Sequence, residues 1–173
     1  MGHGYIKLID WIKAAVYSLE QNRIKPFKTS VLKILYLTLP EELRWTLYEP
    51  YLYGPYSRTI SDLLDILAFG YKSLGAYIHT MPNGTWTTIF SFKGSQVELN
   101  KIVFDKINAL VKKLKQKGIK TAKELSLVCK VYYLKERYET ENINYLSQKS
   151  RIIGWNLSGQ QIAHYLEVLS DIP

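Results

Sequence analysis

Apolar residues recur along most of this chain at the three-to-four spacing that marks one face of a helix. Between Tyr5 and Gln21 they fall at Tyr5, Leu8, Ile9, Ile12, Val16 and Leu19, which predicts a first helix over 5–21. Arg23-Ile-Lys-Pro26-Phe27 interrupts the pattern. Thr29 or Ser30 can then cap a second helix over 28–39, which Pro40 stops. A helical turn through Glu41–Leu47 precedes Tyr48-Glu-Pro-Tyr-Leu-Tyr-Gly-Pro-Tyr-Ser57, where two prolines and a glycine predict loop or extended chain. Ser57 or Thr59 caps a third helix over 58–69, with Ile60, Leu63, Leu64 and Leu67 as its buried face.

The period then changes. Ala76–Met81 and Thr85–Phe92 are rich in β-branched and aromatic residues, and Pro82-Asn83-Gly84 between them supplies a turn, so a β-hairpin is predicted over 76–92. Helical spacing returns in a lysine-rich segment over 97–117, with Val103, Ile107, Leu110 and Leu114 on one face and Gly118 closing it. Three more helices are predicted over 121–137, 141–153 and 158–171, the last opened by a Ser158/Gln161 capping box. The predicted class is mainly α with one β-hairpin: a winged-helix-like core over 1–95 and helices over 96–173. With only the turn at Lys93-Gly-Ser95 as a seam, the 173 residues should form one unit.

Helix, helix, loop, helix, hairpin is the order of a winged helix. Thr29-Ser-Val-Leu-Lys-Ile-Leu-Tyr-Leu37, then Tyr53-Gly-Pro-Tyr-Ser57 and Leu63-Leu-Asp-Ile-Leu67, resembles the YwgA-like family and, more distantly, the Panacea antitoxin domain. Those proteins share a lysine-bearing, leucine-rich helix followed by a Tyr-Gly-Pro-type loop. The resemblance spans roughly Tyr5 to Phe92 and, more loosely, the C-terminal helices through Leu169, and does not include the lysine-rich helix. It implies a fold and no catalytic residues; the Panacea likeness implies that such a shape can bind and neutralise another protein.

Charge adds a direction. The formal excess is +8, from 23 Lys and Arg against 15 Asp and Glu, which favours acidic partners such as nucleic acid. Between Val97 and Lys123 stand Lys101, Lys106, Lys112, Lys113, Lys115, Lys117, Lys120 and Lys123 with only Glu98 and Asp105, so this segment alone carries +6. A nucleic-acid interface would draw Arg58, Thr59 and Ser61 from the third helix, Asn83, Thr85 and Lys93 from the hairpin, and Lys112, Lys113, Lys115 and Lys117 from the basic helix. Asp62 and Asp65 leave the third helix with a net charge of −1, which counts against its entering a groove lined by phosphates.

A protein partner is the alternative. Tyr48, Tyr51, Tyr53 and Tyr56 beside Trp45 make an aromatic-rich loop of the kind favoured at interfaces, or equally a cover for the first three helices. The Val103-Ile107-Leu110-Leu114 stripe fits a short homodimer seam less well than a core face, because it spans only about two heptads.

Catalysis is not expected. Phosphate-loop and nucleophile-elbow motifs are missing, and tyrosines with Arg44, Arg58, Arg137 and Arg151 supply the residue types for DNA cleavage without a spacing. His3, His79 and His164 are scattered, so no metal or other cofactor is expected. Cys129 is the single cysteine and reads as a core residue. Apolar runs fall far short of the roughly 20 residues of a membrane span, and charges interrupt the first twenty residues, so a cytoplasmic protein with no membrane partner is expected.

Overall fold

The structure is a computed structural model, and it describes residues 7–172. Its first helix, α1 (Leu8–Gln21), opens where the Asp10 carboxylate accepts from the Lys7 N–H. The predicted start at Tyr5 lies outside the described residues. After α1 the chain runs extended, and Pro26 and Phe27 attach to a hairpin strand far along the chain: the Pro26 carbonyl accepts from Phe90 N–H, and Phe27 bridges Ile89. That attachment sets where α2 (Lys28–Thr38) begins. Phe27 takes the N-cap position, no side chain caps the helix, and Thr29 and Ser30 lie inside its first turn, not at the cap.

Every residue from Ser30 to Leu39 is buried, because α1 and three later helices surround α2. Helix α3 (Glu41–Leu47) follows, and its Arg44 is buried against Tyr36 and Tyr132 and ion-paired to Glu136.

The proline-containing stretch is extended chain, one of the two forms expected of it. It forms a tight hairpin of β1 (Glu49–Tyr51) and β2 (Gly54–Tyr56) turning on Leu52 and Tyr53. Pro50 stands opposite Pro55. Proline has no N–H to give, and alternate pairs of an antiparallel ladder exchange none, so two facing prolines are tolerated. Gly54 has φ +95°, and a Cβ there would meet Lys130 Cγ at 3.1 Å and the Ser126 carbonyl at 3.3 Å. Both conformation and crowding therefore require glycine.

Helix α4 (Arg58–Asp65) widens into a π turn over Ile66–Gly70. The second hairpin, β3 (Leu74–Thr80) with β4 (Trp86–Phe92), matches the predicted one within two residues. The two hairpins form separate two-stranded sheets, so among the described residues the architecture is mainly helical with two hairpins in place of one.

The basic segment starts later than predicted. A single 3-10 turn occupies Gln96–Glu98, and the Asn100 side chain then accepts from Val103 N–H to open α5 (Lys101–Gln116). Gly118 follows it at φ +83°. Val103, Ile107, Leu110 and Leu114 are buried against α1 and α2, so this stripe is a core face. Helices α6 (Ala122–Tyr138), α7 (Ile143–Ile153) and α8 (Gly159–Ser170) complete the fold, and both halves of the Ser158/Gln161 box are formed. Cys129 is fully buried, its thiol directed at the Lys33 carbonyl, and burial pushes it up to about 12.

Of the two candidate caps for α4, Ser57 does the work: its buried Oγ accepts from Ile60 N–H at 3.2 Å, while Thr59 is exposed on the helix. Ser57→Ala is expected to lower unfolding free energy by about 1 kcal/mol in urea denaturation, and Thr59→Ala to leave it within about 0.5 kcal/mol. Equal losses in the two variants would contradict this assignment.

Candidate functional site

Attachment of Phe27 to β4 holds the second hairpin over the start of α2, and two adjoining concavities open beneath it. The first, a cleft of about 330 Å³, lies between the α2 N-terminus, the β1–β2 hairpin and β4. The second, a trough of about 550 Å³, lies between Arg23–Phe27, the end of the hairpin and the start of α6. Thr29, Trp86 and Thr87 line both, so they form one depression divided by Trp86. Trp86 begins β4 opposite Thr80 and is 76% exposed.

Around the trough stand Arg23, Lys25, Lys120 and Lys123. None of these four forms an ion pair among the described residues. Two carboxylates lie near them, and each is engaged elsewhere: Glu124 caps α6, accepting from the N–H groups of Lys120 and Thr121 at 2.8 and 2.9 Å, which hold it below its ordinary value, and Glu20, in the groove it shares with Arg23 and Lys25, accepts from Phe92 N–H at 3.0 Å. Phe27 and Met81 add an apolar surface to the same wall.

The cleft has a different polar group. Lys33 lines it and is 2% exposed. Its ammonium donates to the Pro55 carbonyl at 2.6 Å and pairs with no carboxylate among the described residues. Burial pushes it down to about 8, and the neighbouring Lys130 acts in the same direction. Lys28, also in the cleft wall, is paired to Asp65 at 2.7 Å. Tyr51, Tyr53 and Tyr56 complete the hairpin side.

Of the ten residues selected by sequence, Thr85 alone lines this depression. Arg58 is 86% exposed on α4 and lies 3.8 Å from Asp62, and Thr59 is exposed beside it. Ser61 is buried, since it lies one turn after the Ser57 cap on the core side of α4. Asn83 and Thr85 are exposed in the hairpin turn, but Asn83 Oδ1 accepts from both the Thr85 N–H and its hydroxyl. Lys93 and Lys112 are exposed. The other α5 lysines bind their own chain: Lys113 donates to the Asp171 carbonyl, Lys115 to the Asn22 carbonyl, and Lys117 pairs with the Asp171 carboxylate.

Sequence reasoning did not select Arg23, Lys25, Lys33, Trp86, Lys120 or Lys123. Lys33 had a visible signal, a charge inside an otherwise apolar run. Among the described residues no three His, Cys, Asp or Glu side chains converge as metal ligands, and no helix is long and apolar enough to cross a membrane. His79 packs on the Phe27 ring and His164 on Tyr165, while His3 lies outside the described residues. No protein-family profile matches the chain, and comparison with curated proteins finds no match.

Lys33 also makes stability depend on pH. In the unfolded chain it titrates near 10.5 and in the fold near 8. Below about pH 8 both states hold the proton, and the fold bears the whole penalty of the buried charge. Between these values only the unfolded chain keeps the proton, so stability rises with pH. Lys33→Met removes the charge and leaves the Pro55 carbonyl unbonded. At pH 7 the variant is expected to be more stable than wild type by about 2 kcal/mol, roughly the burial penalty less one hydrogen bond. Near pH 10 this advantage should vanish or reverse. Paired urea denaturations at the two pH values check it, and a variant less stable by the same amount at both would contradict it.

Proposed function

We propose that this chain is a non-catalytic nucleic-acid-binding protein of winged-helix-like organisation, which holds a phosphate backbone in the trough beneath its β3–β4 hairpin. The carrying observation is the set of four cations, Arg23, Lys25, Lys120 and Lys123, grouped without partners beside the exposed Trp86. Each cation that neutralises a phosphate releases a counterion, which supplies affinity without reading sequence. The Phe27–Ile89 bridge supports the winged-helix-like reading, because it ties the segment between the first two helices to the hairpin.

Helix α4 is poorly suited to enter a groove. Arg58 is drawn to Asp62, Ser61 is buried, and the helix continues into exposed Ile66 and Phe69. Helix α5 is the weaker contributor of charge, because Lys113, Lys115 and Lys117 already bind the chain itself. The nucleic-acid contact thus belongs to the trough, with Lys112 and Lys93 as outlying charges.

One observation favours a second reading, a protein-binding module of antitoxin or adaptor type. Phe69 and Tyr71 are 60% and 79% exposed at the end of α4, next to Ile66, and single apolar residues on a surface do not usually gather this way. The resemblance to the Panacea domain points in the same direction.

Fluorescence anisotropy of a labelled oligonucleotide at several salt concentrations separates the readings. Wild type is expected to lose affinity steeply with salt, and the Arg23→Gln/Lys25→Gln/Lys120→Gln/Lys123→Gln variant to lower the log–log slope by about 3, at roughly 0.7–0.9 per phosphate contact. Lys113→Gln/Lys117→Gln should leave the slope nearly unchanged. Absence of binding at low salt would remove the nucleic-acid reading and make the Ile66–Tyr71 surface the leading site.

A further inference from the structure

We propose that the cleft between the β1–β2 hairpin and β4 receives one unpaired nucleotide, so that the protein prefers single-stranded nucleic acid to duplex. The proposal rests on the nucleic-acid reading of the trough and names what the adjoining cleft does.

Size is the first ground. At about 330 Å³ the cleft lies at the lower end of ligand pockets, which run from about 300 to 1,000 Å³, and it suits one nucleotide, not a length of helix. Continuity is the second. Because Thr29, Trp86 and Thr87 border both concavities, a strand lying along the trough passes Trp86 at the point where the cleft opens.

The third ground is the chemistry at each end. Trp86, Tyr51 and Tyr53 present exposed rings around the cleft, and aromatic faces of this kind stack on unpaired bases without regard to sequence. Deeper in, Lys33 uses one of its three N–H donors on the Pro55 carbonyl, which leaves two. A cation buried this far without a carboxylate is unfavourable in the free protein and is compensated when a ligand brings the anion. Lys28 stands in the same wall with its charge shared by Asp65. A nucleotide supplies both halves of what is missing, a flat ring for the aromatic mouth and a phosphate oxygen for Lys33. In a duplex every base is already paired and stacked, and extruding one costs free energy that a single strand does not lose.

The full chain is titrated with a fluorescent oligothymidylate of about 12 nucleotides, within the usual range of single-strand site sizes, and with a duplex of the same length. The single strand is expected to bind at least about tenfold more tightly. Trp86→Ala and Lys33→Met should each weaken it about tenfold and narrow the preference for single strand over duplex; the stacking loss for Trp86→Ala falls within the range found for base–aromatic contacts. Trp86 is exposed, so its variant remains informative whatever Lys33→Met does to folding. If the duplex binds as tightly as the single strand, and Lys120→Gln/Lys123→Gln still weakens it, the nucleotide cleft is overturned and the trough reading stands. If neither polymer binds, both are overturned.

Discussion

The hydrogen bond from Lys33 to the Pro55 carbonyl is the constraint on which the rest of the site depends. Helix α2 is enclosed on every side by other elements, so a lysine in its middle brings a charge into the core. Among the described residues the acceptor it reaches is the carbonyl of a short hairpin, and that bond fixes β1–β2 against α2. Tyr48, whose hydroxyl donates to the Leu32 carbonyl at 2.7 Å, fixes the other end of the same segment. Gly54 allows Lys130 and α6 to close on the turn from outside. The hairpin thereby becomes a rigid wall of the cleft, and its last residues lead directly into the Ser57 cap of α4.

Charge density and available charge are separate properties in this molecule. The lysine run on α5 is the densest in the chain, yet much of it closes the fold. Lys115 binds the carbonyl of Asn22 at the C-terminal end of α1, where a cation is favoured by the helix dipole, and Lys113 and Lys117 hold Asp171 after α8. The four cations at the trough have no such duties. They sit on backbone segments held by the Phe27–Ile89 bridge and by the Thr121–Glu124 capping box, so the charges are presented by ordered chain.

Most helices were legible in the sequence because periodicity reports burial directly. The Val103-Ile107-Leu110-Leu114 stripe is such a case, and Pro82-Asn83-Gly84 marked the main hairpin equally well. What escaped was structure made by pairing between distant segments. Two prolines argued for loop or extended chain and gave no sign of strand pairing, yet the Pro50–Pro55 pair is compatible with a ladder once the two strands turn back on each other. The start of α2 depended on Phe27 meeting Ile89, which no local pattern encodes. The trough is the extreme example: Arg23 and Lys25, Trp86, and Lys120 and Lys123 come from three segments and meet only through the fold. Ser61 shows the converse error, a polar residue read as exposed that lies on the same side of α4 as Leu64.

Amide NMR of the protein titrated with a single-stranded oligonucleotide reads out whether nucleic acid binds in the depression beneath the hairpin. Shift changes are expected to concentrate at Arg23–Ser30, Thr85–Thr88 and Lys120–Lys123, with a second group at Tyr51–Gly54 where the nucleotide enters the cleft. Changes confined to Lys101–Gln116, or to Ile66–Tyr71, would contradict it.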